Sequence, residues 1–299
     1  MLQTERIANG AVQQNMNLSE VKSNIIPVPT EQIQGFIGNK VREAERLKDE
    51  AQKIRKNFEQ EIDELFGSLK NKDGKYIFVD KEDLNVERLD ADYYSPRNVL
   101  AQKLVLVSSS EKKLLSDVAF ITDGDHGSPA FVHEGVPFLR NKNVKKYLVD
   151  EKDIVFINPE YEEQLKSSRL RKNDLLLKKI GTVGDCAVFR GTTGNLNANS
   201  ALIRLETNKL LPYFTCALLN SSVFKTIIER EAGGGVQMAL SLGKLFNIQI
   251  PIFKLAIQEP INEKVKKYIK MMEHSKDLIQ EAKQDVEDLI EGNFTMEDN

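Results

Sequence analysis

The sequence is poor in the residues that build metal sites, disulfide frameworks and membrane spans. Its 299 residues include only two cysteines, three histidines and no tryptophan. Cys186 and Cys216 are too few for a structural zinc site, and without an apolar signal segment they indicate buried thiols rather than a disulfide. No apolar run approaches the roughly 20 residues that cross a membrane. We therefore expect a cytoplasmic protein with no membrane partner, and we predict neither a metal ligand nor a cofactor.

A convincing arrangement of catalytic residues is also missing. The chain has no His-Glu-x-x-His, no Cys/His cluster and no Gly-x-Ser-x-Gly, which are patterns that would support metal or hydrolase chemistry. The most suggestive string is "DIVFINPEY" (153–161), because Asn-Pro-x-Tyr after an apolar strand resembles the loop with which adenine-N6 methyltransferases hold a flipped base. Glu160 replaces the second proline of that loop, and no glycine-rich S-adenosylmethionine loop lies upstream. We therefore interpret the string as a proline-containing loop after a strand, and we predict no catalytic residue.

What the sequence does contain is an internal repeat. Residues 6–41 align with residues 230–265 at an offset of 224 and without a gap. Chance rarely keeps such a register over so long a stretch, so the chain carries the end of the same kind of domain twice. The identical pairs include Gly10/Gly234, Val12/Val236, Gln13/Gln237, Leu18/Leu242, Ile26/Ile250, Pro27/Pro251, Gln34/Gln258, Ile37/Ile261, Lys40/Lys264 and Val41/Val265.

Each copy of the repeat leads into a long amphipathic segment. Apolar residues recur at alternating steps of three and four among mostly charged ones, which is the pattern of a two-stranded coiled coil. This spacing predicts helices over about 33–67 and 257–291, each roughly 50 Å long, with Gly67 and Gly292 as stop signals. Two unrelated amphipathic helices on a core are the alternative. The residues predicted to pack between the helices or against a partner are Ile37, Ala44, Leu47, Ala51, Ile54, Phe58, Leu65, Ile261, Tyr268, Met271, Leu278, Val286 and Leu289.

The sequence between the two helices has the mixture of strand and helix patterns that is typical of an α+β domain. Short apolar runs bounded by Gly, Asn, Asp or Pro predict strands, and "PRNVLAQKLV" and "LLPYFTCALLNSSVFKTIIER" predict helices. "KIGTVGD" (179–185) predicts a hairpin turn in which Gly181 and Gly184 have positive φ. The strings predicted as strands are "DVAFI", "VPFLR", "DIVFI", "DLLLKKI", "DCAVF", "SALIRL" and "IQIPI".

Basic residues are segregated within this region although the net charge of the chain is −3. "RNKNVKK" (140–146) has four cations and no acid, and "KSSRLRKNDLLLKK" (166–179) has only Asp174 against its cations. This distribution favours one face that meets phosphates, where each contact releases counterions. An ordinary solvated surface is the alternative.

An ordered series of strings resembles the DNA-specificity subunits of type I restriction–modification systems. "LDADYYSP", "GVPFLRNKNV", "NDLLLKKIGTVGDCAVF", "NANSALIRL" and "GGGVQMALSLGKLFNIQIPI" follow one another, and "IQEPINEKV" then opens a long helix. The resemblance covers nearly the whole chain. It implies an α+β target-recognition domain flanked by two long antiparallel helices of coiled-coil type. It also implies recognition without catalysis, with double-stranded DNA and DNA adenine methyltransferase subunits as partners, and the restriction subunit through them.

The resemblance also implies a domain division and a set of DNA contacts. Residues 1–29 would be the remnant of a first recognition domain, 30–68 and 254–292 the helices, 76–253 the complete recognition domain, and 293–299 a tail. Such a half-subunit would pair with itself or with a complementary half. Two other functions stay open, a coiled-coil adaptor or inhibitor without a DNA role and a self-contained methyltransferase or nuclease. The DNA contacts implied by analogy are His126, Ser128, Arg140, Lys142, Asn143, Lys145, Lys146, Arg169, Arg171, Lys172, Lys179, Thr182, Asn197 and Asn199.

Overall fold

The computed structural model divides the chain into two compact units. The first unit comprises Met1–Lys48 with Glu273–Asn299, and the second unit is Asp49–Met272. The structure describes residues 19, 22, 26, 28–67, 69, 79–81, 84–86, 88–233 and 238–296. Most of 1–29, interpreted above as a domain remnant, lies outside the described residues. The predicted domain division therefore stays a prediction.

The described residues form α-helices and three small sheets. The helices are α1 (Glu31–Phe66), α2 (Pro96–Ser108), α3 (Leu115–Val118), α4 (Pro159–Glu162), α5 (Pro212–Leu219), α6 (Ser222–Glu231), α7 (Leu242–Phe246) and α8 (Leu255–Glu291). The strands are β1 (Lys112–Leu114), β2 (Ala119–Asp123), β3 (Phe131–Val132), β4 (Val136–Leu139), β5 (Val155–Ile157), β6 (Leu175–Lys178), β7 (Cys186–Val188), β8 (Asn195–Leu196), β9 (Ser200–Leu205) and β10 (Gln249–Pro251). Short 3-10 helices cover Asn141–Asn143 and Glu163–Ser168.

The two long helices are confirmed, and each ends at the glycine that the sequence predicts. Gly67 has φ +84° and Gly292 has φ +80°. This left-handed conformation stops a helix and is available to glycine without a steric penalty. The stop signals are therefore set by the local backbone chemistry of these two residues.

Within the second unit, the two helices run antiparallel. The rings of Phe58 on α1 and Tyr268 on α8 lie edge to face with their centroids 5.8 Å apart. Further along α1, Glu61 accepts a hydrogen bond from Lys264, which comes earlier on α8. Rising numbers on one helix therefore meet falling numbers on the other.

Within the first unit, the same direction holds. The hydroxyl of Ser275 donates to the carbonyl of Ala44 at 2.7 Å, and Lys40 forms an ion pair with Asp285 at 2.8 Å. The antiparallel arrangement that the family resemblance implies is thus present in both units.

Most of the residues predicted to pack between the helices or against a partner are buried or half-buried. The buried ones are Ala44, Leu47, Ala51, Phe58, Ile261, Tyr268 and Met271, and the half-buried ones are Ile37, Ile54, Leu65, Leu278 and Leu289. Val286 is 39% exposed and Ala282 is buried one turn earlier, so Val286 does not pack between the helices and its packing against a partner stays a prediction.

The seam prediction also missed buried residues near the end of α1. Ile62 and Phe66 are almost completely buried. The ring of Phe66 contacts Phe224 of α6 and Phe253 at centroid distances of 5.8 and 6.1 Å. A strict coiled-coil period does not anticipate this second packing face.

Every string predicted as a strand overlaps an observed strand, and the strands form three sheets. Their orders are β1-β10, β2-β9-β6-β7 and β3-β5-β4-β8, and among the strands of the described residues only β4 and β8 pair in parallel. The predicted helical stretch at 210–230 is divided into α5 and α6, because the Ser221 hydroxyl accepts from the Phe224 amide and caps a new helix.

The core of the second unit lies between the two four-stranded sheets. It joins side chains of β4 and β8 with side chains of β6, β7 and β9, and this packing brings the ends of strands from both sheets together. Its buried members are Leu139, Val144, Leu170, Leu176, Ala187, Phe189, Leu196 and Leu202. Of the helices that the structure describes, none is both long and apolar enough to span a bilayer.

Candidate nucleic-acid interface

Four loops meet where strands of both sheets end, and we call residues 123–128, 140–146, 179–184 and 197–199 the loop cluster. The strand register places Asp123 of β2 opposite Ala201, and Lys178 of β6 opposite Ser200. The amide of Lys179 donates to the carbonyl of Asn199 at 3.0 Å. These contacts hold loops from distant parts of the chain in one place.

Two asparagines of the 140–146 loop organise the cluster from within. Asn141 donates through Nδ2 to the carbonyl of Ile180 at 3.0 Å and accepts through Oδ1 from the Ser200 hydroxyl at 3.3 Å. Asn143 is 1% exposed, and it accepts from the Arg140 amide at 2.9 Å and donates to the Asp150 carbonyl at 2.8 Å. The DNA contact expected of Asn143 is therefore corrected, because this carboxamide shapes the loop.

Lys179 is likewise committed to an internal contact. It is 7% exposed, and its Nζ lies 2.7 Å from Oδ2 of Asp123, which His126 approaches at 3.3 Å. Burial opposes ionisation of Asp123, but the hydrogen bond and charge of Lys179, with a smaller contribution from His126, lower the pKa of Asp123 below its ordinary value. Lys179 therefore compensates a carboxylate rather than offering a free charge.

The end of the 140–146 loop is fastened to α1 by Tyr147 within the second unit. Tyr147 is 1% exposed and has φ +72°, a conformation that strains a bulky side chain. Its hydroxyl donates to Glu59 Oε1 at 2.9 Å, and Lys146 donates to the same oxygen at 2.7 Å. Lys146, predicted to contact DNA, therefore binds Glu59 in this structure.

The electrostatics of this attachment keep its hydrogen bonds intact at neutral pH. Burial and the charge of Glu59 raise the pKa of Tyr147, so its hydroxyl stays a proton donor. Burial works against ionisation of Glu59, but the hydrogen bond and charge of Lys146 outweigh it and lower the pKa of Glu59. A neutral tyrosine and a charged carboxylate are the states that this geometry requires.

The outer surface of the loop cluster carries side chains that are accessible to a ligand. Lys145 is exposed and has no acidic partner among the described residues. Lys142 pairs with Asp153 at 3.4 Å, but both side chains are more than half exposed, and such a pair contributes only about 0–1 kcal/mol. Lys142 can therefore exchange this partner for a phosphate. Further exposed or half-exposed polar residues of the cluster are His126, Ser128, Thr182, Asn197 and Asn199.

The hairpin turn of the cluster has the predicted backbone. Gly181 has φ +78° and Gly184 has φ +91°, and the turn joins the antiparallel strands β6 and β7. Thr182 is thereby presented at an exposed tip.

Three predicted DNA contacts lie elsewhere. Arg171 and Lys172 precede β6 while Lys179 follows it, and four strand residues span about 13 Å. Arg169 donates to both carboxylate oxygens of Glu162, which is 4% exposed, and also pairs with Glu163. The structure does not bring these three residues into the loop cluster, and Arg169 has a structural partner.

The Asn-Pro-Glu-Tyr string begins helix α4 instead of presenting a free amide. Asn158 caps this helix by accepting from the Glu160 amide at 2.8 Å. The Tyr161 hydroxyl donates to Asp125 Oδ2 at 2.8 Å, and this hydrogen bond raises the pKa of Tyr161. Over the described ranges, no group of three or more His, Cys, Asp or Glu residues could hold a metal ion.

The residues that organise the site were not predicted from the sequence. Asn141 stands in a basic string, and its role depends on Ile180 and Ser200, which are far away in the chain. Tyr147 and Glu59 are 88 positions apart, and no local pattern links them. A bulky residue with positive φ cannot be recognised from its neighbours in the chain.

A family model and a characterised relative that match this chain point to the same family. A family model described as "Type I restriction modification DNA specificity domain" matches residues 107–284. The Escherichia coli "Type I restriction enzyme EcoBI specificity subunit" is 26% identical over 136 residues, which cover 45% of this chain and 28% of that protein. The matched region thus spans less than a third of the length of this relative.

Solved structures are similar in fold. The type I restriction–modification S subunit from M. genitalium has a TM-score of 0.55 and 16% identity, over 98% of this chain and 69% of that one. The HsdS subunit from Thermoanaerobacter tengcongensis has 15% identity over 98% of this chain and 68% of that one, with a lower TM-score of 0.42. The first likeness supports the α+β fold with two long helices.

Proposed function

Because this chain belongs to the family of type I restriction modification DNA specificity domains, we propose that it recognises duplex DNA and directs catalytic subunits to it. The loop cluster is the observation that carries this proposal, since loops from both sheets present cations and amides on one surface. The chain would read one half of a split site. Methyl transfer and cleavage would belong to partner subunits, and the chain itself would be no enzyme.

The accessible residues of the loop cluster would make two kinds of contact with DNA, to phosphates and to bases. Lys142 and Lys145 would contact phosphates, which position a protein on DNA. Asn199, Thr182 and Ser128 would reach base edges in a groove, since amides and hydroxyls can both donate and accept. Buried Asn141 and Asn143 would hold the loops in the conformation that reads the site.

The helices α1 and α8 would serve assembly. We propose that they dock DNA adenine methyltransferase subunits and, through these, the restriction subunit, in the cytoplasm where the DNA lies. A homodimer or a complementary half-subunit would supply the second recognition domain. A C2 homodimer would read a palindromic split site, because it presents the same surface twice.

The DNA proposal is tested by the salt dependence of binding. Wild-type protein is used to select duplexes from a random-sequence library, and affinity for the selected pool is measured by fluorescence anisotropy at several salt concentrations. Lys142→Ala combined with Lys145→Ala should weaken binding and lower the slope of log K against log salt by about 2, since each phosphate contact contributes about 0.9.

The matched control removes two lysines outside the loop cluster. Lys113→Ala combined with Lys209→Ala deletes the same charge, from exposed side chains on β1 and in the loop before α5. It should leave the salt slope unchanged. An unchanged slope for the Lys142 and Lys145 variant would remove the 140–146 loop from the interface.

Assembly is tested separately. Co-purification with an adenine methyltransferase, followed by methylome sequencing, should yield a methylated split site. Size-exclusion chromatography with light scattering measures the stoichiometry. A monomer both alone and with the methyltransferase would exclude the homodimer.

A further inference from the structure

An exposed aromatic side chain lies beside the loop cluster. Phe131 is on β3, the edge strand of its sheet, and it is 51% exposed, while Val132 beside it is 37% exposed. The ring of Phe131 covers the buried Phe138 at a centroid distance of 6.3 Å. The ring is therefore partly packed on its own sheet, and about half of the side chain stays accessible to a ligand.

An arginine lies next to this ring. The guanidinium carbon of Arg140 is 5.7 Å from the ring centroid of Phe131. Its Nη2 donates to the backbone carbonyl of Asp153 at 2.6 Å, so this bond fixes the side chain without neutralising its charge. The carboxylate of Asp153 faces Lys142 instead, and the exposed acids that follow β3 and β5 in the chain are Glu134 and Glu160. Lys145 adds a further exposed cation in the same loop.

We infer that Phe131 is a base-contacting residue, which wedges its exposed ring into a base step of the bound duplex while Arg140 and the 140–146 loop hold the flanking phosphates. This inference rests on the proposed DNA-recognition function. Apolar wedges inserted between base steps commonly accompany cationic backbone contacts, and any base can stack on an aromatic face. Arg140 at the ring and the exposed Lys142 and Lys145 in the same loop favour a polyanion over a protein partner.

A second exposed phenylalanine provides a matched comparison. Phe120 on β2 is 36% exposed, and the guanidinium carbon of Arg204 lies 5.9 Å from its ring centroid. Arg204, however, pairs at 2.6 Å with Asp174, which is 2% exposed. The two sites share an aromatic ring and an arginine, but only Phe131 has uncompensated cations and lies next to the loop cluster.

The absence of tryptophan from the chain makes a clean optical test available. Phe131→Trp and Phe120→Trp each introduce one reporter, and each variant is titrated with the duplex pool selected by the wild type. Stacking on a base should quench the fluorescence of the Phe131→Trp variant, and added salt should restore it as the complex dissociates. The fluorescence of the Phe120→Trp variant should not change.

The Phe131→Ala variant gives a second readout. It should bind the selected pool about tenfold more weakly, in keeping with the loss of one stacked base, and circular dichroism checks that it folds. Its salt slope should equal that of the wild type, because no phosphate contact is lost. A reduced slope would overturn the assignment of Phe131 to a base.

The outcomes separate this inference from the proposed function. Unchanged fluorescence of the Phe131→Trp variant, under conditions where that protein binds the selected pool, overturns the wedge and leaves DNA recognition standing. A response to a methyltransferase subunit but not to DNA assigns the ring to a protein contact and also overturns it. If the wild type binds no DNA at all, the proposed function fails and the wedge fails with it.

Discussion

The two copies of the internal repeat share many identical residues at matched positions, and the described members of these pairs lie in very different surroundings. Gln34 donates through Nε2 to the carbonyl of Pro29 at 2.8 Å, and its counterpart Gln258 donates to the carbonyl of Phe253 at 2.7 Å. This local hydrogen bond is the same in both. Gln34 is nevertheless exposed, whereas Gln258 is completely buried.

The difference comes from what covers each copy. Ile26 is 76% exposed and its counterpart Ile250 is fully buried, and Gln258 makes additional hydrogen bonds to Lys209 and Leu211. The glutamine that the two copies share thus forms the same local bond near the start of both long helices. Their contribution to stability depends on the globular elements that pack on them, which we expect to be visible in paired substitutions.

The largest contrast is expected for the isoleucine pair. Ile250→Ala leaves a cavity beneath β10 and should lower the free energy of unfolding by about 3 kcal/mol. Ile26→Ala should change it by less than about 0.5 kcal/mol, as exposed positions usually do. Urea denaturation followed by circular dichroism measures both. Equal losses would mean that Ile26 is also covered in solution.

A somewhat smaller contrast is expected for the glutamine pair. Gln258→Ala leaves the Leu211 amide and the Lys209 and Phe253 carbonyls without their partner, and should cost about 2 kcal/mol. Gln34→Ala, which loses a single exposed hydrogen bond, should be nearly neutral. If Gln258→Ala unfolds at the same urea concentration as the wild type, the predicted contribution of the buried Gln258 to stability is wrong.

One turn further along each helix, the two copies have different residues as well as different surroundings. Oδ1 of Asn262 accepts from the amides of Tyr213 and Phe214 at 3.1 and 3.2 Å and so caps α5, while its counterpart is Gly38. Asn262→Ala should cost about 1 kcal/mol, the usual value of a cap. Gly38→Asn should be neutral or slightly stabilising, because glycine weakens a helix interior. Thermal melts of both variants test this, and a stability loss on introducing Asn at 38 would contradict it.

The smallest effect is expected where the two copies are alike. Lys40 pairs with Asp285, and Lys264 pairs with Glu61. Lys40→Gln and Lys264→Gln should each cost less than about 1 kcal/mol, and salt should reduce both effects. A large and salt-independent loss in only one variant would show that the copies differ here too.

The pH dependence of the Lys40 contribution follows from its charge partners. Burial lowers the pKa of Lys40, but its hydrogen bond and charge interactions with Asp285 and Glu281 outweigh this and raise the pKa above 10.5. A raised folded-state pKa means that the stabilisation is fully present below the unfolded-state pKa. It is lost as pH rises through the folded-state pKa, so the difference between Lys40→Gln and the wild type should be constant around pH 7 and shrink only in strong alkali.

The sequence predicted most of the fold because its signals were local or repeated. The strand formed by Ser200–Leu205 has the predicted bounds, and Gly67 and Gly292 end the helices as expected. The burial of Ile62 and Phe66 was missed, because it depends on how the helices pack and, for Phe66, on the contacts with Phe224 and Phe253. The spacing of apolar residues along a helix does not show that a second face of the same helix is covered by other elements.

The candidate site was only partly predictable for a similar reason. The basic string at 140–146 lies in the loop cluster, but its charge pattern could not distinguish exposed Lys145 from Lys146, which Glu59 binds. The family resemblance also implied a DNA contact for Arg169, which forms a bidentate pair with Glu162 in the structure. Residue type indicates which ligand a side chain could bind, and its partners decide whether it is available.

The repeat could be recognised by aligning the chain with itself, and the two long helices, their stop signals and most of the described strands could be predicted because each depends on residues close together in the chain. The strands β1, β3 and β8 were missed. It took the folded chain to bring four separate loops to one surface, to bury Asn143 and Lys179 and to leave Phe131 half exposed, because burial and partner choice are set by contacts between residues far apart in the chain. Gln34 and Gln258 show this directly, since the same residue with the same local bond is exposed in one copy and buried in the other.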